Sequence, residues 1–182
     1  MKPKNKTNED ELVQGCLKNN RKAQKELYER YGPVMKMVCL RYLHEKQLAE
    51  EVLNKGFFKV FDKMETYTGE GSMEGWIRKI MVNECLNENQ KRKVIYEPDE
   101  AGERNFLRQV PEVESTHDVS HIMAVIAALP EGYRIVFNLC EIDGYSHKEI
   151  GERLGISESS SRSQLTRAKK LLRQKLKDVE GF

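Results

Sequence analysis

Apolar residues recur at intervals of three and four positions along most of the chain, which is the repeat of a helix with one buried face. In the N-terminal half this pattern predicts four helices separated by short polar stretches. Asn8 and Glu11 form a capping pair before the first helix, and the second has an apolar stripe from Leu27 to Tyr42, in which Gly32 and Pro33 favour a break or kink. The third helix is expected from about 44 to 64, and Ser72 is positioned to cap the fourth.

The C-terminal half has the pattern of a helix-turn-helix. One helix follows Pro130, a second is capped by Ser146, and a tight turn then leads into a last helix that begins near Glu158. Small Gly151 would let the last two helices approach closely, and Gly155 would relieve strain in the turn between them. The second helix of such a pair is then free to face DNA.

Charge divides the chain into three segments. The net charge is +5 over residues 1–93, −5 over 94–120 and +2 over 121–182. The acidic middle segment contains prolines and few clustered apolar residues, so it is expected to bury little surface and to act as a linker. The sequence therefore predicts an all-α protein of two small helical domains joined by an acidic linker, at 8–93 and 121–179, the second being the helix-turn-helix.

Several kinds of chemistry are not expected. No apolar run approaches the roughly 20 residues that span a bilayer, and the first residues are polar, which predicts a cytoplasmic protein without membrane insertion. The four cysteines form no CxxC pair and are expected to be reduced core thiols. His117 and His121 have helical spacing but no further ligand nearby, so no metal site is predicted. Adjacent Glu50 and Glu51 point to different helix faces, and neither a catalytic constellation nor a cofactor motif accompanies them.

Basic residues dominate the last helix. From Ser159 to Lys177 there are seven Lys and Arg residues and no acidic one. Such cations can neutralise DNA phosphates, while Ser, Gln and Arg side chains near the helix start can reach base edges in the major groove. The sequence therefore predicts DNA binding by this unit. The candidate DNA-binding residues are Ser146, Ser159, Ser160, Arg162, Ser163, Gln164 and Arg167.

Both halves resemble the extracytoplasmic-function sigma factors of bacterial RNA polymerase. The segment LPEGYRIVFNLCEIDGYSHKEIGERLGISESSSRSQLTRAKKLLRQKL is similar to the fourth conserved region of that family. LYERYGPVMKMVCLRYLHEKQLAEEVLNKGFFKVFDKM, followed by GEGSMEGWIRKIMVNECLNENQKRK, is similar to its second conserved region. The resemblance implies a monomeric, non-enzymatic specificity subunit with core RNA polymerase and promoter DNA as partners. The family is often held inactive by an anti-sigma factor.

The resemblance also implies roles for individual residues. The C-terminal helix-turn-helix would contact the minus-thirty-five promoter element. In the N-terminal unit the loop 67–72 and the fourth helix would recognise the minus-ten element and hold it open. The implied DNA-binding residues of this unit are Tyr67, Thr68, Gly69, Glu70, Ser72, Trp76, Lys79, Asn83 and Asn87. The implied polymerase-binding residues, on the third helix, are Glu50, Glu51, Asn54, Lys55, Phe58 and Lys59.

The chain departs from the family pattern at three positions. Asn54 and Lys55 stand where an acidic residue and glutamine are common, and Ser161 stands where a small aliphatic residue is more usual. Trp76 keeps two interpretations, a core anchor or a wedge against the DNA fork. The acidic linker likewise keeps two, a spacer that polymerase holds extended or a solvated tether.

Two other classes of protein share parts of this pattern. A helix-turn-helix repressor or activator would be a symmetric dimer that binds palindromic half-sites, whereas a sigma factor would be a monomer that reads two unlike elements. A helical protein-interaction module with a basic tail would show no polymerase-dependent DNA binding. The basic face of the fourth helix is also compatible with an ordinary solvated surface.

Overall fold

The computed structural model describes residues 4–110 and 119–176, and every regular element within these ranges is helical. The chain divides into two compact units after Glu88, in the last turns of the fourth helix. The all-α prediction is therefore confirmed. Within the described ranges, no helix is both long enough and apolar enough to cross a membrane.

The first unit is built on four helices: α1 (Lys4–Leu17), α2 (Arg21–Leu43), α3 (Lys46–Asp62) and α4 (Met73–Lys91), with a short 3₁₀ turn at Met64–Thr66. Their apolar stripes form one core, which buries the aromatic side chains of Tyr42 and Phe57. Ser72 caps α4 as predicted, because its hydroxyl accepts a 3.0 Å hydrogen bond from the Gly75 amide.

Two local features of the first unit differ from those predicted, the start of α1 and a break at Pro33. Helix α1 begins at Lys4, so Asn8 lies inside the helix and does not precede it. Helix α2 runs unbroken through Pro33, and Asn20 caps its start. Of its predicted apolar stripe, Tyr28 and Val34 are exposed by 37% and 41%, while the remaining members are buried, namely Leu27, Tyr31, Met35, Val38 and Tyr42. A stripe read from spacing alone is wider than the face that neighbouring helices cover.

The second unit contains α5 (Glu100–Gln109), α6 (Val119–Ala127), α7 (Glu131–Phe137), α8 (His147–Leu154) and α9 (Glu158–Lys175). Helix α7 continues into a π-helical turn, Asn138–Ile142. Helix α8 starts with a reciprocal capping box between Ser146 and Glu149, and it ends at Gly155, whose φ of 69° is left-handed. The predicted helix-turn-helix is confirmed, with α8 and α9 as its two helices.

The turn between α8 and α9 needs the close approach that Gly151 permits. A Cβ built on Gly151 would lie 2.7 Å from the carbonyl oxygen of Ile156 and 3.5 Å from the amide nitrogen of Glu158. Ile150 and Leu154 are buried at the same crossing. The position of α9 therefore depends on the absence of a side chain at residue 151.

Part of the predicted acidic linker is folded. Residues 100–109 form α5, capped by Asp99, and the Phe106 side chain is only 3% exposed. Phe106 is the one fully buried side chain in residues 94–110, and Ile95 is 73% exposed, so this segment buries little surface as expected, although α5 gives it a regular structure. Residues 111–118 lie outside the described ranges. That the segment connects two promoter-reading domains stays a prediction.

The cysteines are thiols in the first unit's core and at the edge of the second. Cys16, Cys39 and Cys85 are buried and Cys140 is half-buried, and none forms a disulfide. Burial raises the pKa of the Cys140 thiol. The predicted core location is confirmed for the first three, whereas Cys140 keeps partial access to solvent.

Candidate nucleic-acid interface

Helix α9 has one buried and one exposed face. Its first turn is held by Ser157, whose hydroxyl accepts a 3.0 Å hydrogen bond from the amide of Ser160. Leu165, Ala168 and Leu172 face the core of the unit. The exposed face begins with three of the predicted DNA-binding residues and continues with basic ones. It contains Ser159, Arg162, Ser163, Thr166, Lys170 and Arg173.

Gln164, a predicted DNA-binding residue, is not accessible to DNA in this conformation. Its side chain is 2% exposed, and its Nε2 donates a hydrogen bond to the carbonyl oxygen of Tyr96. It lies on the core side of α9, one residue beyond exposed Ser163. Nearness to the start of the recognition helix suggested access to bases, but the face of the helix decides it.

Most cations of α9 have partners within the unit. Arg162 pairs with Glu158 one turn earlier, Lys169 pairs with Glu141 at 3.0 Å, and Arg167 pairs with Glu103 at 2.9 Å. Lys175 is 7% exposed and donates a 2.7 Å hydrogen bond to the Leu107 carbonyl. Lys177 lies outside the described residues. The basic character that the sequence shows is thus only partly available to a ligand.

Ser161 gives α9 a polar contact at the helix crossing. It is fully buried, and its hydroxyl lies 2.9 Å from Nδ1 of His147, the first residue of α8. Burial lowers the pKa of His147, and the charge of Arg162 acts in the same direction. A hydrogen bond thus replaces the apolar contact that a small aliphatic residue would make, and it ties the starts of α8 and α9 together.

Ser146 is exposed but committed to its own helix. Its hydroxyl donates a 2.7 Å hydrogen bond to the Glu149 carboxylate, which also accepts from the Ser146 amide. Its place at the start of α8 satisfies a capping role. Contact with DNA would be in addition to that role.

In the first unit, the loop before α4 combines an aromatic pair with exposed polar groups. The rings of Tyr67 and Trp76 lie 5.3 Å apart at 51°, and both side chains are half-buried. Gly69 and Gly71 have φ of 76° and 82°, which only glycine adopts readily. These turns leave Thr68, Glu70 and Ser72 exposed beside the aromatic pair.

Helix α4 continues from this loop with a polar face. Lys79, Asn83 and Asn87 recur every four residues and are exposed. The Asn87 amide also reaches the Glu84 carboxylate at 3.3 Å. Trp76 is half-buried, so it anchors the start of α4 while part of its ring stays accessible to solvent. The structure thus brings the predicted loop and helix residues of the first unit together.

The predicted polymerase-binding residues on α3 have mixed environments. Glu50 accepts a 2.6 Å hydrogen bond from Lys36, which lowers the pKa of that carboxyl. Asn54 accepts a 3.1 Å hydrogen bond from the hydroxyl of Tyr28. Glu51 is exposed, and Phe58 presents 74% of its surface to solvent. Both side chains are therefore accessible to a partner.

Lys55 and Lys59 share one buried partner. The two ammonium groups lie 2.9 and 2.5 Å from the two oxygens of Glu84, a carboxylate on α4 that is 3% exposed. Burial raises the pKa of Glu84, but the hydrogen bonds from Lys59 and Lys55 outweigh it and hold the pKa below its usual value. Sequence reasoning missed Glu84, because no pattern along the chain links a carboxylate on α4 with lysines on α3.

Within residues 4–110 and 119–176, no three His, Cys, Asp or Glu side chains are grouped in a way that could hold a metal ion. His117, of the predicted non-ligand pair, lies outside these ranges.

Comparison with known proteins gives matches in both units. Residues 27–94 match the family model described as Sigma-70 region 2, and residues 121–172 match that of Sigma-70, region 4. The chain is 25% identical over 158 residues to the RNA polymerase sigma factor SigZ of Bacillus subtilis, covering 83% of this chain and 85% of that protein. It is 24% identical over 180 residues to the ECF RNA polymerase sigma-E factor of Escherichia coli K12, covering 92% and 94%.

A solved structure is also similar in fold. The sigma factor RpoE of Bartonella quintana, in complex with the anti-sigma factor NepR, matches with a TM-score of 0.51 and 16% identity. The match covers 86% of this chain and 98% of that one.

Proposed function

This chain belongs to the extracytoplasmic-function group of the sigma-70 family, whose members bind core RNA polymerase and direct promoter recognition and transcription initiation, and from that premise we propose which of its residues do so. It is not an enzyme, because the polymerase supplies the chemistry. The observation that carries the proposal is the exposed face of α9, where Ser159, Arg162 and Ser163 project away from a core sealed by Leu165 and Ala168. These side chains would read the upstream promoter element.

The first unit is proposed to bind the downstream element and the polymerase. Tyr67 of the loop 67–72 and Trp76 of α4 form an aromatic pair for base stacking beside the exposed hydroxyl groups of the loop. Lys79, Asn83 and Asn87 extend that surface along α4. On α3, Glu51 and Phe58 are the accessible docking residues. Lys55 and Lys59 would contribute mainly by positioning, because Glu84 engages both of their ammonium groups.

The acidic segment is proposed to serve as a spacer in the polymerase complex. Domains that read elements about two DNA turns apart must be separated by roughly 70 Å, whereas a free chain of this length averages about 30 Å. Polymerase would therefore have to draw the segment out, including the part that is folded onto the second unit.

Further partners and setting follow from the same premise. We place the protein in the cytoplasm as a monomer, since polymerase acts there and two unlike units need no symmetric partner. An anti-sigma factor is proposed as an inhibitory partner, supported by the complex in which the similar RpoE was solved.

The decisive experiment is run-off transcription with purified core polymerase and promoter fragments. Only a sigma factor confers specific initiation on the core enzyme. A repressor or activator of the helix-turn-helix class would bind DNA alone as a dimer, which light scattering would detect, and would leave the core polymerase unable to initiate specifically.

For α9 we expect Arg162→Ala and Lys170→Ala to behave differently. Arg162 lies in the first turns, where side chains reach base edges, so its loss should change base preference at the upstream element by about 1–3 kcal/mol. Its ion pair with Glu158 is on the surface and can exchange for DNA at little cost. Lys170 lies two turns further on, so its loss should weaken all sequences alike.

Binding is measured with holoenzyme on specific and scrambled upstream elements, as a function of salt. Lys170→Ala should reduce the salt slope by about one. Equal losses on both DNAs for both variants would contradict the assignment of base reading to Arg162.

For the loop we expect Tyr67→Ala to impair strand opening more than initial docking. Removal of the ring leaves Trp76 without its aromatic neighbour and takes away a stacking platform, which is worth about 1–3 kcal/mol per base. Tyr67→Phe is the matched control, because the hydroxyl makes only a long contact, 3.5 Å to the Gly71 carbonyl. Permanganate footprinting reports the open bubble. A Tyr67→Ala defect that is as large on a pre-melted promoter as on duplex would argue against a reader of opened strands.

A further inference from the structure

The acidic segment 94–110 is held on the helix-turn-helix unit by specific contacts. The Asp99 amide donates a 2.9 Å hydrogen bond to the Tyr133 hydroxyl, and Lys175 of α9 donates one to the Leu107 carbonyl. Phe106 is buried. The backbone of the segment packs closely against Gly132 of α7, where an added Cβ would lie 2.6 Å from the Ile95 carbonyl oxygen. Together these contacts form a specific intramolecular docking site for the segment, called the seat below. A solvated tether would make no such set of contacts.

Glu103 is the charged centre of this seat. Its Oε1 accepts a 2.6 Å hydrogen bond from the Tyr133 hydroxyl and a 2.9 Å hydrogen bond from Arg167. Burial raises the pKa of Glu103, but Tyr133 and Arg167, with a contribution from the charge of Lys170, lower it below its usual value. The carboxylate is therefore ionised near neutral pH and lies within the field of two α9 cations.

The position of Glu103 relative to α9 has a consequence for DNA. Arg167 is half-buried at the edge of the exposed face, next to Ser163 and one turn before Lys170. A carboxylate here offsets positive charge that would otherwise meet phosphates, and Glu97, Asp99 and Glu100 of the same segment are exposed nearby in sequence. Gln164 is also withheld, through its bond to the Tyr96 carbonyl.

We propose that residues 94–110 are an intramolecular brake on DNA binding, in which Glu103 neutralises Arg167 and the segment must leave α9 before the helix reaches full affinity. The proposal rests on the assignment of the exposed α9 face to DNA. It couples the two roles of the segment, because a polymerase that draws it out as a spacer also uncovers Arg167. The protein would then bind promoters strongly only once it is on the enzyme.

The test compares Glu103→Gln with Glu100→Gln in the full chain, without polymerase. Both variants remove one negative charge from α5. Glu103 contacts Arg167 and Tyr133, whereas the Glu100 side chain is 80% exposed and lies 3.8 Å from Arg104. Binding to a short labelled DNA duplex is followed by fluorescence anisotropy over a range of salt concentrations.

Glu103→Gln is expected to bind DNA about three- to tenfold more tightly than the unmodified chain at low salt. The salt slope should steepen by about one, since one more phosphate contact releases about one more counterion. Glu100→Gln should change affinity less than twofold. In an Arg167→Ala background the gain from Glu103→Gln should disappear, because the released cation is absent.

Gly132→Ala displaces the same segment without changing any charge. The added methyl group suits helix α7 itself but collides with the Ile95 carbonyl, so residues 95–96 must move. It should raise DNA affinity in the same direction as Glu103→Gln. Hydrogen exchange of α8 and α9 shows whether the unit stays folded, and if Gly132→Ala unfolds it, Glu103→Gln decides alone.

The outcomes separate the brake from the DNA assignment. If Glu103→Gln binds no more tightly than Glu100→Gln while Lys170→Ala still weakens binding, the brake is wrong and α9 remains the DNA helix. If Lys170→Ala and Arg162→Ala also leave affinity unchanged, the assignment of α9 itself fails. If Glu103→Gln raises DNA affinity by the same factor in the polymerase holoenzyme as in the free chain, the proposal that polymerase removes the segment from α9 is wrong.

Discussion

Replacement of Gly151 by Ala is expected to destabilise the helix-turn-helix by about 2–3 kcal/mol and to abolish upstream promoter use. The added methyl group would lie 2.7 Å from the Ile156 carbonyl oxygen, and its next neighbours are backbone atoms of Ser157 and Glu158. Backbone cannot rotate away as a side chain can, so the turn and the start of α9 must shift. The small gain in helix propensity from Ala, about 1 kcal/mol, does not compensate.

Gly32→Ala provides the matched control. Gly32 also lies inside a helix, but a Cβ there meets only the Tyr28 ring at 3.5–3.9 Å, which is ordinary contact. That substitution should leave stability unchanged or raise it slightly. Hydrogen exchange followed by mass spectrometry reads α8 and α9 separately from the first unit. Unaltered protection of α8 and α9 in Gly151→Ala would contradict the close packing at the turn.

Arg134→Ala is expected to destabilise the second unit by about 3 kcal/mol or more. Arg134 is a buried cation on α7, 5% exposed, and its Nη1 donates hydrogen bonds of 3.2 and 3.3 Å to the carbonyls of Ala127 and Leu129. These carbonyls lie at the end of α6. Truncation would leave them without this donor, open a cavity and leave Glu131 without its nearby Arg134 charge, 3.8 Å away.

Burial lowers the pKa of Arg134, although the neighbouring Glu131 favours the charged form. Arg108→Ala, an exposed arginine of the same unit, should change stability by less than about 0.5 kcal/mol. Amide exchange in α7 and run-off transcription at a promoter with both elements measure the two consequences. Loss of less than about 1 kcal/mol would show that α6 is not tied to α7 through this side chain.

The capping prediction at Asn8 is wrong because α1 already begins at Lys4. Position and spacing along one helix also do not decide which side chains are exposed, as Gln164 and Tyr28 illustrate. Whether such a residue is exposed depends on which neighbour covers it, and for Gln164 that neighbour comes from a segment far away in the chain. The average composition of the acidic segment likewise does not reveal that α5 forms within it and buries Phe106.

Local chemistry was enough for most of the helices and for several of their ends. Apolar spacing predicts most of the helices. The hydrogen-bonding capacity of Ser72 and Ser146 predicts two caps, and the same chemistry predicts the start of α9. Glycine conformation placed the turn at Gly155. The sequence by itself also determined the family, because motifs of both conserved regions stand in the chain as contiguous segments.

Only the tertiary structure decided which charges remain available to a partner. Glu84 joins Lys55 and Lys59 across two helices, and Glu103 reaches Arg167 from a segment that charge patterning had set apart. Such pairs link residues 25 or more positions apart, and no local periodicity encodes them. An ion pair forms where the packing of apolar faces brings two side chains together, so the DNA-facing charge of this protein is a property of its fold.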